Sequence, residues 1–156
     1  MIVVADTSPI NYLILIGEIQ ILQRLYKRIL IPPAVLEELR HRAAPKPVQD
    51  WIRDPPGWIG VQRPKSVLVY PQLDLGESEA IALATEVRAT VLLIDDFAGR
   101  QEAARLGTRV AGTLSVLDEA DQVGLVDFER ALVRLLKTSF RVSQAVLAEI
   151  RERRLR

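Results

Sequence analysis

Three aspartates follow short apolar segments of the sequence, at positions where carboxylates could do chemistry. Asp6 comes directly after IVVA (2–5), and Asp95 and Asp96 come directly after VLLI (91–94). If both segments are parallel strands, their carboxyl ends reach one edge of a sheet, where open α/β sheets bind ligands. Each aspartate is also a good cap for a following helix. The spacing therefore indicates either a shared acidic site or separate helix caps.

The segment PAVLEELRHRA (33–43) predicts a helix that brings a glutamate toward the same edge. Glu38 flanks its apolar face, whereas Glu37 points further into solvent. His41 is the only histidine of the chain and lies between two arginines, so it is interpreted as a surface residue. Glu38 is thus the candidate that this helix supplies.

A second helix is predicted within LDLGESEAIALATEV (73–87). Asp74 and Glu77 have the spacing of a capping box. Glu79 lies at the edge of the apolar stripe of the same helix. Helical phase alone does not separate the two glutamates, so Glu79 is favoured for the site and Glu77 is kept as the alternative.

Carboxylates that meet in one pocket either raise each other's pKa values or bind a cation. Oxygen ligands select hard ions, so Mg²⁺ or Mn²⁺ is expected at a site of Asp6, Glu38, Glu79 and Asp95 or Asp96. Such ions polarise a phosphodiester and lower the pKa of an attacking water. This is the chemistry of metal-dependent nucleases, and it requires no histidine.

The composition is that of one globular domain spanning residues 1–156, with 49% hydrophobic and 26% charged residues. The absence of cysteine excludes disulfides, thiolate nucleophiles and thiolate zinc sites. No targeting segment or membrane span is recognised, so a cytoplasmic location is expected. The net charge of +1 neither favours nor opposes a polyanionic partner.

Short apolar runs alternate with helical patterns along the chain, which predicts an α/β fold with a mostly parallel sheet of about five strands covered by helices on both faces. The strand candidates are 2–5, 28–31, 58–61, 91–94 and 108–111.

Helix starts are predicted at Ser8, as N-cap before Pro9, at Pro33, after Asp74 and after Asp96. Two last helices are predicted at about 128–138 and 144–154, capped by Asp127 and Ser143. Residues 44–57 and 62–72 carry prolines and are interpreted as connections, with one helical turn around 48–53.

Four blocks of the sequence resemble those of PIN-domain nucleases, the family that includes the VapC-like toxins. They are VVADTSPI, IPPAVLEEL, LDLGESEAIALA and VLLIDDFAGRQEAARLGTRVAGTLSVL, in that order. The resemblance covers about residues 1–120. Its D-T-S-P opening and paired aspartates are closer to an uncharacterised PIN-like subgroup than to the best-known toxins.

The resemblance implies a three-layer αβα sandwich, a Mg²⁺- or Mn²⁺-dependent endoribonuclease and a homodimer. It implies an acidic quartet with Asp95 beside it, and hydroxyls near the metal. The quartet is Asp6, Glu38, Glu79 and Asp96, and the hydroxyls are those of Thr7, Ser8 and Thr113. Ile94 stands where many toxin-type members have threonine, which leaves open which aspartate reaches the metal. Asp96 is expected to face it, with Asp95 holding a water or capping the helix.

The resemblance also implies partners. An RNA substrate, single-stranded or structured, could contact Arg100, Arg105 and the C-terminal segment RERRLR (151–156). Aromatic residues make up 5% of the chain, so stacking is not expected to dominate RNA binding. A small antitoxin would cover the acidic pocket with a basic or apolar segment. The apolar stripe of the last helix, Val142, Val146, Leu147 and Ile150, is expected to pack on the core rather than on a second subunit.

Two other functions fit parts of the sequence. VLLIDD resembles the start of a receiver domain, but the later strands with a lone aspartate and a lysine are lacking. A catalytically silent PIN-like module that binds RNA or protein, with the acids serving as caps, is the second alternative. Intact acids at four separate places favour the nuclease.

Overall fold

The computed structural model describes residues 1–156 and contains one sheet of five parallel strands. The strands are β1 (Val3–Ala5), β2 (Ile29–Ile31), β3 (Ile59–Val61), β4 (Val91–Leu93) and β5 (Val110–Ala111), in the order β3-β2-β1-β4-β5. All five strand predictions are confirmed, each with slightly shorter bounds. β1 pairs with β4 in the register Val3↔Val91, and with β2 on its other side.

Nine helices surround the sheet. They are α1 (Thr7–Leu15), α2 (Gln20–Tyr26), α3 (Pro33–Arg40), α4 (Lys46–Arg53), α5 (Leu75–Glu86), α6 (Phe97–Arg105), α7 (Thr113–Gln122), α8 (Phe128–Leu136) and α9 (Gln144–Arg154). None is long and apolar enough to span a bilayer.

Two helix predictions need correction, and two helices were missed. α1 begins at Thr7 with Asp6 as its N-cap residue, so Ser8 is not the cap and Pro9 lies inside the first turn. α4 has eight residues rather than one turn, because prolines at its start fix the helical backbone that opens it. α2 and α7 were not predicted. Residues 62–72 contain no helix or strand, as expected.

Side chains that alternate along each strand divide the core into two parts, one on each face of the sheet. Val3 and Ala5 face the larger part, which α1, α2, α3, α4, α7, α8 and α9 also line. Val4 and Leu92 face the smaller part, which α5 and α6 cover. The helices predicted on both faces of the sheet from its unbroken apolar strands, and the αβα sandwich that the resemblance implied, are therefore confirmed.

The last helix packs on the larger core through Leu147 and Ile150, whereas Val146 is 45% exposed. Arg154 pairs with Asp118 and with Asp121, and its guanidinium lies 4.3 Å from the centre of the Phe128 ring. Arg151 pairs with Glu129 and Arg156 with Glu152, so most of the positive charge of the C-terminal segment is paired within the chain.

The strand order reverses at β1, since the chain moves from β1 to β2 on one side and reaches β4 on the other. The gap above the carboxyl ends of β1 and β4 is a topological switch point, where open parallel sheets bind ligands. The N–H of Asp6 donates to the carbonyl of Leu93 at 2.8 Å, so the ends of the two strands are tied together there.

Candidate functional site

Asp6 lies at the centre of this edge. Its backbone is extended between β1 and α1, and its carboxylate lies within reach of the charges of Glu38 and Glu77. The residue is only 3% exposed, and its Oδ1 atom is buried without any hydrogen-bond partner. Buried carboxylate oxygens are normally satisfied, so an orphaned one requires an explanation.

The pKa of Asp6 is raised well above its ordinary value, chiefly because burial disfavours the charged form. The N–H of Thr7 offsets part of this shift, while the charges of Glu77, Glu38 and Asp74 add to it. Four carboxylates from three parts of the chain thus act on one another. Their pocket repels negative charge and is well suited to a cation.

Glu38 projects from α3 toward α1 and α5. Its carboxylate accepts a hydrogen bond from the hydroxyl of Thr7 and another from the N–H of Gly76. Burial raises its pKa, and the Thr7 hydroxyl partly counters that shift. A Cβ on Gly76 would overlap Oε1 of Glu38, so only glycine leaves room for the carboxylate here. Thr7 therefore donates to Glu38 and lines the cavity beside it, and its place near a metal ion stays a prediction.

Glu77 completes the capping box of α5. Its Oε1 accepts from the N–H of Asp74 at 2.9 Å, and Asp74 accepts from the N–H of Glu77 at 2.7 Å. The pKa of Glu77 is raised to about 7, mainly by burial and further by the charges of Asp74, Asp96 and Glu38. Glu77 is thus both a cap and a member of the acidic pocket.

Glu79 faces a neighbouring helix end. Its Oε1 accepts from the N–H of Ala34 at 3.0 Å, in the first turn of α3. It therefore ties α5 to α3, and it lines the cavity beside Glu38. The charges that act on Asp6 come from Glu77 rather than Glu79. The assignment of Glu79 to the catalytic set remains a prediction.

The two adjacent aspartates have different surroundings. Asp95 accepts from the N–H and from the hydroxyl of Thr113, each at 2.7 Å. Burial raises the pKa of Asp95, and the two Thr113 hydrogen bonds and the charge of Arg100 counter the shift. Asp96 is exposed, and its Oδ2 caps α6 by accepting from Gly99 at 2.9 Å. The cap is therefore Asp96 and not Asp95, and Asp96 also faces Glu77.

Of the three other residues predicted for the site, Ser8, Arg100 and Arg105, some lie far from the acids. Ser8 is half-buried in the first turn of α1 and makes no side-chain hydrogen bond. Arg100 lies near Asp95, with Nη1 3.3 Å from where a Cβ of Gly112 would be, and makes no ion pair. Arg105 pairs with Glu102 at the far end of α6, about 12 Å along the helix from its first residue. Only Arg100 belongs to the acidic edge.

A cavity of about 710 Å³ opens beside Glu38 and Glu79. Its wall includes Arg63, Asn11 and the exposed His41, none of which was predicted for the site. Arg63 follows β3 by two residues, so the strand-end rule that selected the aspartates could have selected it too. Asp74 was predicted only as a cap.

The donors present fit a hard divalent cation. No three histidine, aspartate or glutamate side chains are already placed to hold a metal ion. However, the orphaned Oδ1 of Asp6 and its three acidic neighbours offer only oxygen atoms, which Mg²⁺ and Mn²⁺ prefer. A bound cation would satisfy that oxygen and neutralise the mutual repulsion.

Comparison with known proteins agrees with this geometry. A family model described as DUF3368, PIN domain, matches residues 2–154. A solved structure, a PilT N-terminus domain protein SSO1118 from the hyperthermophilic archaeon Sulfolobus solfataricus P2, is similar with a TM-score of 0.52 at 18% identity. The similarity covers 92% of this chain and 100% of that one, and it supports the fold alone. No curated protein matches the chain.

Proposed function

Because the chain belongs to the PIN-domain family, whose fold is of the nuclease type, we propose that it is a Mg²⁺- or Mn²⁺-dependent endoribonuclease. The observation that carries the proposal is the buried Oδ1 of Asp6, which has no partner and faces an acidic pocket at the switch point of the sheet. A pocket whose acids served only as helix caps would not need Asp6, which accepts no cap hydrogen bond on its side chain.

Asp6, Glu38, Asp96 and either Glu77 or Glu79 would hold the metal. When bound, the ion supplies positive charge that polarises a phosphodiester and lowers the pKa of a water. Thr7 orients Glu38 by donating its hydroxyl, and Thr113 fixes Asp95 by donating twice. Arg100 is the cation best placed to contact a phosphate at this edge.

The test is cleavage of RNA by purified protein with Mn²⁺, with Mg²⁺ and with EDTA. Cleavage is expected only with metal, and Asp6→Asn and Asp96→Asn are each expected to abolish it with the fold intact by circular dichroism. Cleavage that survives EDTA would overturn the proposal. Isothermal titration that shows no site-specific heat with Mn²⁺ would instead favour a silent module that binds RNA or protein.

The family resemblance also supports a role as the toxin of a type II toxin-antitoxin pair, acting in the cytoplasm as a homodimer. Leu75 and Phe97, 61% and 72% exposed, lie at the N-termini of α5 and α6 beside the acids, where an antitoxin segment could pack. Induced expression should arrest growth with the wild type and not with Asp6→Asn. Equal growth of both would exclude toxicity, and light scattering would give the oligomeric state.

A further inference from the structure

One aromatic side chain of this protein has no packing role. The chain has two tryptophans, three tyrosines and three phenylalanines. All are buried or half-buried except Phe97, which is 72% exposed. Single exposed apolar residues are common on protein surfaces, so the exposure alone means little. The exposure of Phe97 matters because the residue lies next to Asp96, an acid of the candidate site.

Phe97 is the residue directly after Asp96 and the first residue of α6. It therefore lies next to an acid of the pocket, and it is not among the residues that line the large cavity. Arg100 is one turn further along the same helix, where residues three apart are neighbours on the surface. Its guanidinium is half-buried beside Asp95 and makes no ion pair. An aromatic face at Phe97 and a cation whose charge acts on Asp95 without a salt bridge thus lie beside the paired aspartates.

Stability does not explain a phenylalanine at this position. The first turn of a helix favours proline and acidic residues, and α6 is already capped by Asp96. The ring adds nothing to the smaller core, which α6 contacts through Ala103 instead. An aromatic ring and an arginine are the pair that proteins use on unpaired nucleotides, the ring for the base and the arginine for the phosphate.

We propose that Phe97 is a stacking platform for a nucleobase next to the scissile phosphate, with Arg100 contacting the phosphate on that side. The inference rests on the proposed ribonuclease function and specifies its substrate class. A base must leave its helix to stack on Phe97, so the substrate is RNA with unpaired nucleotides at the cleavage position. Phe97 is a positioning residue rather than a catalytic one.

The test measures binding without cleavage. In the Asp6→Asn background, fluorescence anisotropy gives the Kd of a labelled single-stranded oligoribonucleotide and of a hairpin whose stem has the same sequence. Phe97→Leu retains apolar area but loses the aromatic face, and should weaken single-strand binding by roughly tenfold. Phe97→Trp should restore it, and bound RNA should quench the new indole. Val123→Ala is the control and should bind like the parent. Val123 is an exposed apolar residue at the C-terminus of α7, whose N-terminus, at Thr113, contacts Asp95.

Cleavage by otherwise wild-type protein with Mn²⁺ provides the second readout. Phe97→Leu should raise KM for the single strand much more than it lowers kcat, and the hairpin stem should remain a poor substrate for every variant. Equal Kd for Phe97→Leu and its parent, or preference for the stem, would overturn the inference. If the wild type fails to cleave but Phe97-dependent binding persists, the ribonuclease proposal fails and the stacking platform stands.

Discussion

Asp95 and Thr113 are joined by two hydrogen bonds of 2.7 Å, one from the N–H and one from the hydroxyl of the threonine. Asp95 follows β4 and Thr113 follows β5, so the pair closes the acidic edge on its outer side. Gly112 makes the approach possible, since a Cβ there would lie 2.8 Å from Oδ1 of Asp95. The first of the paired aspartates is therefore held in place by the chain itself.

Thr113→Val should lower the free energy of unfolding by about 1.5–3 kcal/mol, because it removes a hydrogen bond to a carboxylate in a buried setting. It should also reduce cleavage, since Asp95 is then held by one bond only. Thr113→Ser retains the hydroxyl and serves as the matched control in urea denaturation and in the cleavage assay. A valine variant as stable and active as the serine variant would contradict the role given to the hydroxyl.

Gly76→Ala should reduce metal-dependent cleavage although it replaces no carboxylate residue. The added Cβ overlaps Oε1 of Glu38, so the glutamate must leave its position. Elsewhere in a helix the same change stabilises by about 1 kcal/mol. In a Glu38→Ala background Gly76→Ala should therefore be neutral or stabilising, and a double-mutant cycle of unfolding free energies should show strong coupling. Additive effects would mean that Gly76 and Glu38 do not compete for space.

Glu77→Gln and Glu79→Gln should separate the two candidate glutamates. Glu77→Gln is expected to weaken Mn²⁺ binding in isothermal titration, because Glu77 shares the pocket of Asp6. Glu79→Gln is expected to retain Mn²⁺ binding and to lose about 1 kcal/mol of stability, because its carboxylate accepts from Ala34 at the start of α3. The reverse pattern would place Glu79 in the metal set.

The stability of metal-free protein should fall as the pH rises. Burial and neighbouring charges raise the pKa of Glu77 from 4.5 to about 7, so the folded chain binds that proton more tightly than the unfolded chain. This contribution is fully present below pH 4.5 and is lost as the pH passes 7. In EDTA, the Tm of Glu77→Gln should decline less with rising pH than the Tm of the wild type. Each kcal/mol of unfolding free energy that is lost should lower Tm by about 2–4 °C.

Saturating Mn²⁺ should have the opposite effect on the wild type, raising Tm most at high pH, where the carboxylates are deprotonated. Asp6→Asn should lose that response. A Tm in EDTA that is independent of pH, or that rises with pH as much in Glu77→Gln as in wild type, would show that the pocket does not destabilise the metal-free chain.

Arg100→Ala should weaken RNA binding and lower the salt dependence of log Kd by about 0.7, the value for one phosphate contact on a single strand. Arg105→Ala is the matched control, since Arg105 is paired with Glu102 at the far end of the same helix. Binding isotherms over a range of salt concentrations measure both slopes. A larger effect of Arg105→Ala would move the RNA path away from the acidic edge.

The strands and the acids at their ends could be predicted from the sequence because both depend on neighbours in the chain. An apolar run that stops at Asp6 or at Asp95 fixes where a carboxylate emerges. The capping box of Asp74 and Glu77 is likewise a local pattern, and the structure contains it.

What could not be predicted depends on packing between distant segments. The N-cap residues of α2 and α7 are Ile19 and Gly112, which offer no side-chain cap to mark a helix start. The charge of Glu77 reaches Asp6 only because α5 packs over the end of β1. The exposure of Phe97 follows from where α6 meets the smaller core, which no spacing reveals.

The position of β1 in the sheet has a consequence for biosynthesis. β1 is made first, yet it pairs in the middle of the sheet with β4, whose first residue is Val91. The N–H of Asp6 donates to the carbonyl of Leu93. The carboxylate of Asp95 has no hydrogen-bond donor in place until Thr113 has been added. The acidic pocket therefore cannot assemble on the nascent chain until β4 and Thr113 have both been synthesised.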